Sequence, residues 1–172
     1  MSVQFVIDPL EFVRNTGIRY GKIPLLELER LHDLLFDKSG ELAFSVCGQF
    51  DDNGRPSLRL KITGNMQLIC HRCLDELTHH INLETLLVLA KNESELHQWD
   101  ENDSVDAILA TSELDIVGLI EDEVILSLSI ALHHVDTECN MYKPPPIDDS
   151  TIDGSSTAHP FAALMSFKKN HN

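Results

Sequence analysis

From Leu58 to Cys70 the chain alternates with a period of two. Leu58, Leu60, Ile62, Met66, Leu68 and Cys70 fall on even positions, and Arg59, Lys61, Thr63, Asn65 and Gln67 on odd ones. Successive side chains of a β-strand point to opposite faces, so this pattern predicts one long strand with a buried face and a wet face. Parity resumes after Cys73 with Leu77, Ile81, Leu83, Leu87 and Leu89. Strand, tight turn and strand make an antiparallel hairpin, with Cys70 and Cys73 at its tip.

The flanks are read from the same kind of pattern. Val3, Phe5 and Ile7 alternate and predict a short strand, and Asp8-Pro9 then opens a short helix over 10–14. Leu25, Leu28, Leu31 and Leu35 form one apolar stripe, predicting a helix over 25–35 that Gly40 ends. Leu42, Phe44, Val46 and Phe50 share one parity, with a turn at Asp52-Asn53-Gly54. Residues 91–113 are acidic and read as irregular, with a short strand over 105–109. A helix follows over 115–128, with Ser112 as N-cap and Glu121, Asp122 and Glu123 facing out. The fold expected is α+β: a central antiparallel sheet with a long hairpin, flanked by a few helices. It occupies residues 1–142. Residues 143–172 read as a Pro/Ser/Asp-rich linker and a flexible tail, ending in the short apolar peptide His159-Pro160-Phe161-Ala162-Ala163-Leu164-Met165.

Charge narrows the function. The formal net charge is −15, which argues against general nucleic-acid binding, because phosphate contacts require Lys and Arg. Residues 1–74 are balanced, with nine basic and nine acidic side chains, and residues 92–142 contain no Lys or Arg. Such a stretch is either a solubilising surface or a face that receives a basic partner. The start MSVQFVIDPL does not read as a signal peptide, and no apolar run reaches the roughly 20 residues that span a bilayer. The expectation is a cytoplasmic protein whose four cysteines are thiols or metal ligands rather than disulfides.

Catalytic patterns are missing. The sequence has no Gly-rich phosphate loop, no nucleophile elbow and no His-Glu-x-x-His, so the protein is expected not to be an enzyme. The conspicuous chemical feature is Cys70-His71-Arg72-Cys73, whose turn can bring two sulfurs onto one ion. Two thiolates are half of a structural zinc site. His134 and Cys139 would complete a Cys3His set of Cys70, Cys73, His134 and Cys139, with one structural zinc as the cofactor. Packed, unligated thiols and a redox pair are the competing readings, although β-periodicity on both sides disfavours a thioredoxin-like motif. Cys47 lies on the opposite parity from Phe44 and Val46 and reads as a small filler. For nucleic acid, Arg55, Arg59, Lys61 and Arg72 could contact a phosphate backbone along the hairpin.

Several segments in order resemble the large ribosomal RNA subunit accumulation protein family (the YceD family). They are Ile7-Asp8-Pro9, Leu68-Ile69-Cys70-His71-Arg72-Cys73-Leu74, Glu121-Asp122-Glu123-Val124-Ile125-Leu126, the His134 and Cys139 pair, and the tail His159-Pro160-Phe161-Ala162-Ala163-Leu164. The resemblance implies a non-enzymatic role in making, processing or retaining large-subunit ribosomal RNA. It implies partners among ribosome assembly components, either a basic ribosomal protein or a large-subunit RNA precursor. The alternative is a zinc- or thiol-dependent, redox-responsive regulatory protein.

Overall fold

The computed structural model describes residues 5–100, 106–135 and 139. The elements run β1 (Val6–Ile7), α1 (Pro9–Arg14), β2 (Ile18–Pro24), two 3-10 turns (Leu25–Glu27 and Glu29–Leu31), β3 (Leu35–Asp37), β4 (Glu41–Phe50), β5 (Pro56–Ile69) and β6 (Glu76–Ala90). After these come α2 (Glu93–Asp100), β7 (Asp106–Leu109), β8 (Leu114–Asp115) and α3 (Ile116–Ser127). The chain divides after Met141, and the described residues all belong to the first unit. The linker and apolar tail expected over 143–172 lie outside the described residues, as does Val3 of the first expected strand.

The fold is α+β. Its main sheet has the order β2-β4-β5-β6-β7, and β3 pairs with the far end of β5, beyond β4. The expected hairpin is its spine: Ser57 to Ile69 pair without a break with Val88 to Glu76. All pairings in this sheet are antiparallel except β6 with β7, which α2 joins as a parallel crossover. The short strand expected over 105–109 is present as β7, at the sheet edge, while the part expected to be irregular before it contains α2. Leu60, Ile62 and Leu68 are wholly buried on the even face of β5. They pack with Leu42, Val46, Ile81, Leu87 and Leu89, and with Ile116, Ile120 and Val124 from α3.

Three local expectations are corrected. The stripe Leu25, Leu28, Leu31 and Leu35 is buried, but it forms two 3-10 turns and the start of β3 rather than one α-helix. Its first three leucines recur every third residue, which is the 3-10 period, and Leu28 at φ −90, ψ 76 breaks the helical run between the turns. The N-cap of α3 is Asp115 and not Ser112: its carboxylate accepts from Val117 N at 3.0 Å, while Leu114 and Asp115 are still extended against β1. Glu121 faces inward, with 7% exposure, and accepts a hydrogen bond from the Arg30 amide at 2.9 Å.

Gly48 explains how α1 reaches the sheet. A Cβ there would lie 2.8 Å from Val13 Cα and 2.9 Å from the Phe12 carbonyl oxygen, so only a residue without a side chain admits the helix backbone.

Candidate metal centre

The hairpin ends at Ile69, and the chain turns through Cys70–Asp75 before β6 begins. Cys70 N donates to the Asp75 carbonyl at 2.9 Å and Leu74 N to the Cys70 carbonyl at 2.8 Å. The turn needs a left-handed residue, and Leu74 supplies it at φ 62. The segment after α3 then crosses this tip. His71 N donates to the Leu132 carbonyl at 2.7 Å, and an Arg72 guanidinium nitrogen donates to the His134 carbonyl at 3.2 Å. These contacts bring residues 132–134 onto the turn.

The result is a four-residue cluster. The ligand atoms of Cys70, Cys73, His134 and Cys139 all lie within 4.8 Å of one another. Cys139 Sγ lies 3.6 Å from both Cys70 Sγ and Cys73 Sγ, and His134 Nδ1 lies 3.4 Å from the sulfurs of Cys73 and Cys139. A tetrahedral ion with metal–sulfur bonds of about 2.3 Å and a metal–nitrogen bond of about 2.0 Å requires ligand separations of roughly 3.5–3.8 Å. The four separations around Cys139 and His134, 3.4–3.6 Å, are close to that spacing, and all six lie within 4.8 Å.

The surroundings prepare these atoms as ligands. His134 Nε2 donates to the Glu76 carbonyl at 2.8 Å, which leaves Nδ1 as the nitrogen facing the sulfurs. Burial pushes the Cys70 thiol up, but amide donors from Cys73, His134 and Arg72 outweigh it and bring it down to about 5. Burial likewise raises Cys139, while Arg72 and His134 lower it on balance. The Asp75 amide pulls Cys73 down, yet burial and the sulfurs of Cys70 and Cys139 carry it up. His134 rises to about 9, first through the Glu76 carbonyl and then through Cys139. Negative charge on sulfur beside a protonated imidazole is an arrangement in which a cation can replace the proton.

Cys47 stays out of the cluster, half-buried and opposite Ile18 and Arg59. His133 bonds its own neighbourhood, through the Ala131 carbonyl, and is not a member either.

The chain is similar along most of its length to proteins of one kind. The family model described as large ribosomal RNA subunit accumulation protein YceD matches residues 58–168, from the start of the hairpin to beyond the cluster. The chain belongs to this family. A YceD relative, the large ribosomal RNA subunit accumulation protein of Haemophilus influenzae, is 20% identical over 176 residues, covering 98% of each chain. No solved structure matches this YceD-family chain.

The four cations singled out in the hairpin do not form one patch. Arg59 and Lys61 stand together on the wet face, and both are paired with Glu84, at 2.7 and 3.0 Å. Arg55 is held in the β4–β5 turn by Asp51 at 2.6 Å and lies over the Trp99 ring, 5.6 Å from its centroid. Arg72 belongs to the cysteine tip. Sequence reasoning did not anticipate the Glu76 carbonyl, because a backbone acceptor leaves no mark on residue type. Nor did it find β2, an edge strand whose residues are mostly exposed and lack apolar alternation.

Proposed function

We propose that this protein is a non-enzymatic factor in ribosome biogenesis that supports the synthesis, processing or accumulation of large-subunit ribosomal RNA. The observation that carries this reading is the family match over 58–168, together with the Haemophilus influenzae relative that covers 98% of the chain. The metal would be one structural zinc. Three sulfurs and one imidazole suit a borderline-soft ion, and four protein ligands close the coordination shell, leaving no open position for substrate. Its role is to tie the segment after α3 to the hairpin tip, 61 residues apart for Cys73 and His134.

The partner is a basic assembly component. Residues 92–142 contain no Lys or Arg, and Glu93, Glu95, Asp106 and Glu113 are arrayed there. Attraction between such a surface and a cationic chain is long-ranged and weakened by salt. Sedimentation of cell extract tests the function: the protein is expected to travel with large-subunit precursors, and its presence only in the free fraction would end this reading. Pull-down of ribosomal proteins at rising salt tests the partner, and capture indifferent to salt would count against the acidic surface.

The low-lying Cys70 thiol favours a second reading, a thiol-dependent redox-responsive protein. Metal analysis of freshly purified protein separates the two. One zinc per chain supports the clasp, while metal-free protein with a Cys70 disulfide supports redox sensing.

A further inference from the structure

One edge of β6 is paired along nearly its whole length and the other is not. β5 lines it from Glu76 to Val88, whereas β7 lines the opposite edge only from Leu87 to Ala90. The ladder fixes which backbone groups are left over. Cys70 N bonds the Asp75 carbonyl, one step beyond the pair of Ile69 and Glu76, and bonded pairs alternate along an antiparallel ladder. Leu77, His79, Ile81 and Leu83 therefore turn their amides and carbonyls to β5, while Glu76, Thr78, His80, Asn82 and Glu84 turn theirs away. The Glu76 carbonyl shows this parity directly, since it accepts from His134 Nε2. Among the described residues, none bonds the backbone amides or carbonyls of Thr78, His80, Asn82 and Glu84. The sheet position that β7 fills beside Leu87–Ala90 is open beside these residues.

This open column has its own chemistry. Exposed strand edges are ordinarily blunted by Lys, Pro or a bulge, and the run from Glu76 to Glu84 contains none of these. Thr78, His80, Asn82 and Glu84 are exposed on the outer face, and Leu77 and Leu83 are half-buried on the core face. No Lys or Arg occurs in β6, β7 or α3. Carboxylates stand at both ends. Glu76 is at one, and at the other Glu84 and Asp106 line a cleft of about 280 Å³ in which Asp51 already holds Arg55. Glu84 is engaged by Arg59 and Lys61, but Asp106 repels Glu123 of α3.

We infer that this column takes an extended segment of a basic partner, added as a strand to β6. A series of free amides and carbonyls at every second residue is matched by another extended backbone. A helix has its own groups bonded internally, and a nucleic-acid strand has no such series. Side chains of an added strand alternate between the two faces. Those on the core side meet Leu77 and Leu83 and are apolar. Those on the outer side stand beside His80, Asn82 and Glu84 and lead toward Asp106, so they are Lys or Arg. The column gives the basic-partner reading, on which it rests, a place in the fold and a mode of binding.

The test is hydrogen exchange of the full chain, read residue by residue by NMR, with a capped peptide of about nine residues of alternating valine and lysine. In the free protein the amides of Thr78, His80, Asn82 and Glu84 should exchange fast, and those of Leu77, His79, Ile81 and Leu83 slowly. Peptide at about ten times its Kd should slow the first set about tenfold. Two N-methylated peptides, each blocking one alternate set of amides, should differ on unaltered protein: one loses binding and the other keeps it. Asn82→Pro removes only an outward amide and should weaken binding about tenfold. Asp106→Asn should weaken it roughly two- to fivefold at low salt. Strand addition is ruled out if the peptide binds without slowing the four amides, or if both methylated peptides bind alike. Equal binding by an alternating valine and glutamate peptide would overturn the basic occupant. Slow exchange of the four amides before any peptide is added would mean that the column is already filled, and the inference would fall. Salt-sensitive capture of ribosomal proteins with no slowing on β6 would overturn the column and keep the basic-partner reading. Slowing on β6 in a protein that captures no ribosomal protein would do the reverse.

Discussion

The imidazole of His134 donates through Nε2 to the Glu76 carbonyl at 2.8 Å, which directs Nδ1 at the sulfurs of Cys73 and Cys139. The first residue of β6 thus orients a side chain near the end of the described chain. His134→Ala should lower zinc affinity at least tenfold, measured by competition with a chromogenic chelator, while Cys47→Ala leaves it unchanged. The pH dependence follows from the same geometry. In the metal-free protein His134 holds its proton up to about 9, and Cys70 takes one up below about 5. Zinc must displace protons from His134 and Cys73 at neutral pH, so apparent affinity rises with pH toward 9 and falls off steeply below 5. Affinity that stays flat between pH 6 and 8 would mean that His134 is not a ligand.

Glu121 gives a second relationship that crosses the molecule, from α3 to the 3-10 turn at Glu29–Leu31. Glu121→Ala strands the Arg30 amide and should cost about 1–3 kcal/mol in urea unfolding. The neighbouring pair of Arg30 with Asp122 is half-exposed, so Asp122→Asn should cost less than about 1 kcal/mol. Equal losses in the two variants would show that the buried acceptor has no special weight.

Legibility followed physical cause. The hairpin was readable because its two strands each bury one face along their length, so period two survives from Leu58 to Leu89. The same parity carried Leu42 and Val46. The stripe from Leu25 to Leu35 signalled burial correctly and helix type wrongly, since spacing by three serves both 3-10 and α geometry. Glu121 could not be distinguished from Asp122 and Glu123 by type, and only the amide across from it sets it apart. In the cluster, the Cys70 and Cys73 spacing is local and visible. The approach of His134 depends on backbone bonds such as His71 N to the Leu132 carbonyl, which no residue pattern encodes.

Gly48 is expected to be intolerant for a steric reason and Gly54 for a conformational one. Gly48→Ala drives a methyl into the α1 backbone, at 2.8 Å from Val13 Cα, and neither partner can swing away. A cost of about 1–3 kcal/mol is expected, with loss of α1 protection in hydrogen exchange. Gly54 has φ +76 and no atom within 4 Å of a Cβ, so Gly54→Ala should cost only about 1 kcal/mol and leave α1 protected. If both variants expose α1 equally, close packing at Gly48 is not what seats the helix.

Glu123 on α3 provides a pH-dependent check on the acidic side of the fold. Burial, then repulsion from Asp106 and Asp122, raise its carboxyl above the ordinary value of 4.5. A carboxyl whose folded value exceeds its unfolded value binds its proton more tightly in the folded state, so ionisation opposes folding at neutral pH. The penalty is full above the folded value, shrinks as pH falls through it, and vanishes below the unfolded value. Glu123→Gln should therefore stabilise the protein in urea unfolding at pH 7, by less than about 1 kcal/mol because the site is partly solvated. The advantage should disappear by about pH 4, where wild type carries the proton in both states. Asp51 runs in the opposite sense. Burial raises it, but donors from Arg55 and Asn53 outweigh that and lower it, so its contribution is present above the unfolded value and is lost on acidification. A Glu123→Gln variant less stable than wild type at pH 7, or a gap indifferent to pH, would mean that neither burial nor the two neighbouring carboxylates burden the charge at this position.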